Sequence, residues 1–273
     1  MRATRNAPNV EALKLLDTCV TLGRMSYGGP SLTAETVLSV MDKHDIAEAL
    51  VHNNEARTVL PRSRGNRRLL EWIDGMERLH PVWVLNPPPT PDPRNAWAMV
   101  EEMLDAGVRV ARLMMGVAPP LLWLWDDLCT ALEAHRVPCL LDFAATQDYF
   151  GRSASTQSNP DDAAMDGLRE ICLAHPKLQM ILSHVSGGLG VAYSTLPMMY
   201  RVPNLHLDIT NIVDYWRRVV ATMGPERVFF ATGMPFYDPA IFVSNVQYAR
   251  DLDVTAKRQI CGDNMRRLME GVR

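Results

Sequence analysis

The chain is poor in several features, and each shortage removes a class of protein. It has five cysteines, an odd number without paired spacing, so no disulfide framework is written into it. Reduced thiols in a cytoplasmic protein are the expectation. Cys139, Cys172 and Cys261 read as small apolar residues packed within strands or helices. No apolar run reaches the roughly 18 residues that span a bilayer, and the opening "MRATRNAPNV" lacks the apolar segment of a signal peptide. Neither sign of charge dominates. A formal charge of −3 gives no argument for nucleic acid or for an anionic membrane as partner. There is no low-complexity tract and no linker. The first turn, "TLGRMSYGGP", has no G-x-G-x-x-G, the glycine pattern that opens many doubly wound sheets.

What remains is a globular chain of 273 residues, 47% apolar and 22% charged, long enough for a sizeable core. Eight apolar runs have strand character: "LKLLDTCV", "IAEALVHN", "HPVWVLN", "GVRVARLMM", "VPCLLDFA", "LQMILSHV", "NLHLDIT" and "RVFFAT". Helical periodicity fills the gaps. Residues 33–44 place Val37, Leu38 and Met41 on one face, and residues 66–79 do the same with Leu69, Leu70, Ile73 and Met76. Pro93 suits a first helical turn, Gly107 a C-terminal cap, and residues 161–175 form a further helix stopped by Pro176. Eight strand–helix units in one composition regime predict a single (β/α)8 TIM barrel over residues 1–273. An open doubly wound sheet is the competing fold. The proline-rich "LNPPPTPDP" should lie over the surface after the third strand, as a wall of the site or as a plain rigid connection. "YFGRSASTQSNPDD", residues 149–162, is a candidate lid, and "SGGLG" is a weak phosphate nest or a flexible turn.

"LLDTCVTLGR", residues 15–24, reads as a buried strand ending at Gly23, with Asp17, Cys19 and Thr21 alternating onto one side. Later stretches share an order with it. These are "RGNRRLLEWI", "MLDAGVRVARLM", "HPKLQMILSHVSGG", "GPERVFFATGMPF" and "ICGDNMRRLM". Together they resemble the amidohydrolase-2 family, a branch of the metal-dependent barrel hydrolases, over nearly the whole chain. The resemblance implies metal ligands on strands one, five, six and eight. Those positions here hold Cys19, Thr21, Asp142, His184 and Gly233, and only His184 keeps the family residue. Glycine has no side chain to offer and threonine is a poor transition-metal ligand. The expectation is therefore a lost metal site and no cofactor. Cys19, Asp142 and His184 could still form a new three-ligand site.

Strand ends feed the catalytic face of a barrel. They supply Cys19, Thr21, His52, Asn53, Asn54, Asn86, Arg112, Asp142, His184, Asp208, Asn211 and Thr232. Asp142 and His184 end neighbouring strands and are the candidate acid–base pair, or else a structural bridge. Arg112, flanked by apolar residues, either clamps a substrate carboxylate or pairs with Asp142 or Asp208. Asp208 either orients His184 or caps the next turn. Cys19, Thr21, His52 and Asn53 would line the substrate. His44, His80, His135 and His175 read as surface or capping residues. One of Trp123 and Trp125 should leave the helix core, toward the mouth or a neighbouring subunit. The leading functional expectation is a metal-independent hydrolase of a small anionic ester, lactone or cyclic substrate. Its rivals are a binding or assembly barrel without activity, and a decarboxylase of the same superfamily. The expected partners are a small-molecule substrate and a further copy of the chain.

Overall fold

Each apolar run becomes a strand, and the two-residue alternation of side chains decides which residues face the barrel axis. A computed structural model describes residues 10–25, 31–58, 61–90, 92–143, 162–183, 195–210, 212 and 215–273. Its strands are β1 (Leu15–Leu22), β2 (Ile46–Asn53), β3 (Leu79–Leu85), β4 (Val110–Met114), β5 (Cys139–Asp142), β6 (Met180–Ser183), β7 (Leu205–Asp208) and β8 (Val228–Phe229). They pair in parallel, in sequence order, as one eight-stranded sheet. Backbone hydrogen bonds close the seam just beyond β8: Thr18 N donates to Phe230 O, Gly233 N to Cys19 O, and Thr21 N to Met234 O. The fold is a (β/α)8 TIM barrel, and the open-sheet alternative falls away.

Helices α1 (Ala34–Lys43), α2 (Asn54–Thr58), α3 (Arg62–Trp72), α4 (Pro93–Asp105), α5 (Leu122–Ala134) and α6 (Asp162–Ala174) lie between the first six strands. They are followed by α7 (Leu196–Arg201), α8 (Trp216–Met223), α9 (Pro239–Gln247), α10 (Val254–Arg258) and α11 (Asn264–Glu270). The starts and stops follow local chemistry. The Thr33 hydroxyl accepts from Thr36 N at the head of α1, and Asp92 caps α4 with Pro93 as its first residue. Gly107, at φ 77°, turns the chain out of α4.

The Gly-Asn pair in "RGNRRLL" has a mechanical role. A Cβ on Gly65 would stand 2.5 Å from the backbone nitrogen of Ala56, so only glycine lets α3 lie against α2. Beside it, the Asn66 side chain donates to Val84 O and accepts from Val84 N, which bolts α3 to β3. The helix begins at Arg62, four residues earlier than its apolar periodicity predicts. That first turn serves α2 and the barrel rather than the apolar face: Arg62 donates to the carbonyls of Ala56 and Arg57.

Inside the barrel, Leu16, Leu50, Val82, Val110, Leu140, Ile181 and Phe229 form an apolar floor, with Met265 of α11 packed against it. Strand β7 contributes His206 at this level, beside Ile181. Its ring meets Phe229 edge-on, and burial followed by Arg227 and Arg267 pushes its pKa down to about 3. The imidazole is therefore neutral at any physiological pH. The outward-facing strand residues pack under the helices in the main core.

Trp125 is buried with its indole N–H on Pro119 O, while Trp123 on the same helix is 78% exposed. Of the surface or capping role expected for His175, only the cap is seen, its N–H donating to Ile171 O at the end of α6. His175 is buried, and lies between Asp126 and Glu133 of α5. All five thiols are free and buried. No helix among the described residues is long and apolar enough to cross a membrane.

Candidate active site

Two residues further along five of the strands, the apolar floor gives way to polar side chains. His52 follows Leu50 on β2, Arg112 follows Val110 on β4, Asp142 follows Leu140 on β5, Ser183 follows Ile181 on β6, and Asp208 follows His206 on β7. All are at most 2% exposed. The site is thus one inward step above the floor, at the strand ends where barrel enzymes place their chemistry.

On β1 the two-residue rhythm breaks. The register with β2 shifts between Asp17 and Val20, so Asp17, Cys19 and Thr21 do not form one uninterrupted row. Asp17 is tied into the seam instead. Its carboxylate accepts from Cys19 N, Thr232 N and the Thr232 hydroxyl. Cys19 meets Arg112 across the lumen, and Thr21 shares a hydrogen bond with His52 Nε2 at 3.0 Å.

At the centre is an arginine–carboxylate cluster. Arg112 donates from Nε and Nη2 to Asp142 Oδ2 at 3.0 and 2.8 Å, and its Nη1 lies 3.7 Å from Cys19 Sγ. Arg57 Nη2 reaches the same Asp142 oxygen at 2.9 Å. Burial alone would lower the pKa of Arg112. The Asp142 charge outweighs it, so the guanidinium stays protonated. The Cys19 thiol is pushed up to about 11, chiefly by burial, and is no nucleophile at neutral pH.

Two other carboxyls are poised differently. Burial raises Asp17 to about 7, against the opposing pull of its Thr232 and Cys19 hydrogen bonds. Burial likewise raises Asp208 to about 6, opposed by Ser183, Thr210 and Arg112.

Arg57 carried no signal that strand-end reasoning could find, because it stands in the short helix α2, one turn past β2. Asn53 spends its side chain on Gly65 O and Glu55 N, and Asn54 donates to Arg24 O, so both hold the β2–α2 corner. Asp208 Oδ1 accepts from Thr210 N, the turn-capping arrangement weighed for it. Asp142 is fully buried. His184, Asn211, the "SGGLG" turn and all but the last residue of the 149–162 stretch lie outside the described residues.

A divalent metal does not fit this cluster. Among the described residues no group of three or more His, Cys, Asp or Glu side chains is placed to hold an ion. Any ion bridging Cys19 and Asp142 would displace a guanidinium that already touches both. Gly233, at φ 71°, offers no ligand, and a Cβ there would come within 2.8 Å of Thr210 and 2.9 Å of Tyr237.

Among solved structures, the barrel is similar to 2,6-dihydroxybenzoate decarboxylase from Rhizobium, at 16% identity and a TM-score of 0.66 over 94% of this chain and 98% of that one. It is also similar to 5-carboxyvanillate decarboxylase from Sphingomonas paucimobilis, at 14% and 0.65 over 94% and 99%. A third is 5-carboxyvanillate decarboxylase from Novosphingobium aromaticivorans, solved with manganese and 4-hydroxy-3-methoxy-5-nitrobenzoic acid, at 13% and 0.71 over 94% and 96%. At these identities the likeness is one of fold. No curated protein matches the sequence. The amidohydrolase family model matches residues 41–270, from the end of α1 through α11, and the chain belongs to that family.

Proposed function

We propose that this barrel is a metal-independent enzyme that hydrolyses a small cyclic or aromatic ester or lactone bearing a carboxylate. The observation that carries the reading is Arg57. Its Nη2 is spent on Asp142, but its buried Nε has no hydrogen-bond partner among the described residues. Leaving a buried donor unmade costs about 1–3 kcal/mol, which a substrate carboxylate would offset. Arg112 is already committed to Asp142 and Cys19, so the clamp passes from Arg112 to Arg57. Asp142 holds both guanidiniums in place, and their charge faces the oxygen on which negative charge develops.

The choice between hydrolysis and decarboxylation rests on where charge moves. In decarboxylation the carboxylate charge disperses as the bond breaks. A guanidinium on the departing group therefore stabilises the ground state more than the transition state. In ester hydrolysis charge accumulates on oxygen, and a fixed cation stabilises that change. Decarboxylation stays as the second reading because enzymes named for it share this fold.

A panel of aromatic lactones, carboxylated esters and hydroxybenzoates tests both readings. Release of one acid per turnover with one solvent oxygen incorporated is the expected result, and carbon dioxide release would transfer the assignment to a lyase. In thermal-shift titration a carboxylate should stabilise the protein by about 2.7 kcal/mol at a hundredfold excess over Kd. The Arg57→Met variant should lose that shift. Stabilisation without turnover of any compound would mark a binding barrel instead.

A further inference from the structure

Three buried polar atoms stand unsatisfied side by side at the ends of β6 and β7. Ser183 Oγ, Asp208 Oδ2 and Thr210 Oγ1 complete no hydrogen bond among the described residues. Ser183 and Asp208 end the paired strands β6 and β7, where Leu182 stands opposite Leu207, and both hydroxyls lie close enough to the Asp208 carboxyl to lower its pKa. Asp208 accepts from Thr210 N at 3.0 Å through its other oxygen, which orients the carboxyl. Ser183 also faces the Cys19 thiol. Thr210 packs its methyl group where a side chain at Gly233 would stand. Cys19 of β1 and the Gly233 bend after β8 are thus the neighbours of these three residues, and Asp208 feels the charge of Arg112.

Native interiors rarely leave three such atoms orphaned together, and a buried water characteristically bonds two to four polar groups. We infer that Ser183, Asp208 and Thr210 hold the attacking water and that Asp208 is its general base. This rests on the hydrolytic reading of the same site. Asp208 Oδ2 accepts one proton from the water. The hydroxide oxygen bonds to the substrate carbonyl carbon, and the carbonyl oxygen takes up the electron pair beside Arg112. Collapse breaks the carbon–oxygen bond to the leaving group, and that oxygen recovers the proton from Asp208. A carboxyl titrating at about 6 is ionised at neutral pH and basic enough for this transfer.

The test has two arms. A high-resolution crystal structure of the wild type at pH 7.5 should show one water within hydrogen-bond distance of all three side chains. A direct Ser183–Asp208 hydrogen bond with no water between them overturns the inference, whatever the substrate. In the second arm, a lactone that the wild type hydrolyses is assayed with Asp208→Asn and Ser183→Ala. Asp208→Asn should keep the wild-type melting temperature within a few degrees. It should lose at least a hundredfold in kcat with KM within threefold, and lose the acidic limb of the pH profile near 6. Ser183→Ala should lose about tenfold. An Asp208→Asn enzyme that matches wild-type kcat overturns the base while leaving the Arg57 clamp standing. A wild type that turns over no ester or lactone removes the hydrolytic reading, and any water found then has only a structural role.

Discussion

A single residue at the barrel seam, Asp17, ties the stability of the fold to pH. Asp17 is raised to about 7 by burial, so the folded chain binds a proton that the unfolded chain releases above 3.8. The folded state binds more protons through that window, and stability falls as pH rises from about 4 to 7. Asp17→Asn removes the titration and keeps an oxygen acceptor. Its melting temperature relative to wild type should therefore climb between pH 4.5 and pH 8, as differential scanning calorimetry at several pH values would show. A constant offset would mean that Asp17 is ionised throughout. Arg112 gives a second test. Breaking a fully buried pair costs about 3–5 kcal/mol, so Arg112→Met should destabilise strongly in chemical denaturation, while Arg57→Met at the rim should cost less. At this scale the sequence was partly legible. The inward step from Val110 to Arg112 and from Leu140 to Asp142 follows from alternation alone. Which acid Arg112 meets depends on side-chain reach across the lumen, which no periodicity encodes. Arg57 was hidden because its neighbours in sequence carry no strand rhythm.

Elements are joined by asparagine and arginine side chains acting as backbone clips. Asn66 serves Val84 of β3, and Asn264 of α11 donates to the carbonyls of Pro225 and Val228. Arg227 spans the carbonyls of Met199, Val202 and Leu205. These clips sit in the short motifs by which the family resemblance was read, so those motifs record how helices dock rather than what is catalysed. Asn66→Ala should destabilise by about 2–4 kcal/mol, because it strands both polar groups of Val84 in the interior; equilibrium unfolding in urea would measure it. Gly167 is a comparable contact point, since a Cβ there would overlap Pro120 O at 1.8 Å. Strand existence and order were legible because every strand is apolar and bounded by turn residues. The β1 bulge was not, because an extra residue leaves no compositional mark and shows only when the partner strand is aligned.

For the whole molecule, the expected outcome of elemental analysis is no stoichiometric zinc, manganese or iron after purification without added metal. One ion per chain surviving dialysis would contradict the reading of the Arg112 cluster. Restoring a carboxylate by Gly233→Asp should not create a metal site. The backbone there is left-handed and the space is filled by Thr210 and Tyr237, so the substitution should lower stability by about 1–3 kcal/mol and leave metal content unchanged. The guanidinium at the barrel centre has a further consequence. It is made with the chain, cannot be scavenged by a chelator and cannot be replaced by the wrong ion. It also has no empty orbital. It attracts an oxyanion but cannot acidify a water bound to itself, as a metal does. On the hydrolytic reading proposed above, a barrel run on such a charge would be confined to acyl groups that are already electrophilic, with leaving groups that depart as weakly basic phenolates or enolates, and closed to unactivated amides.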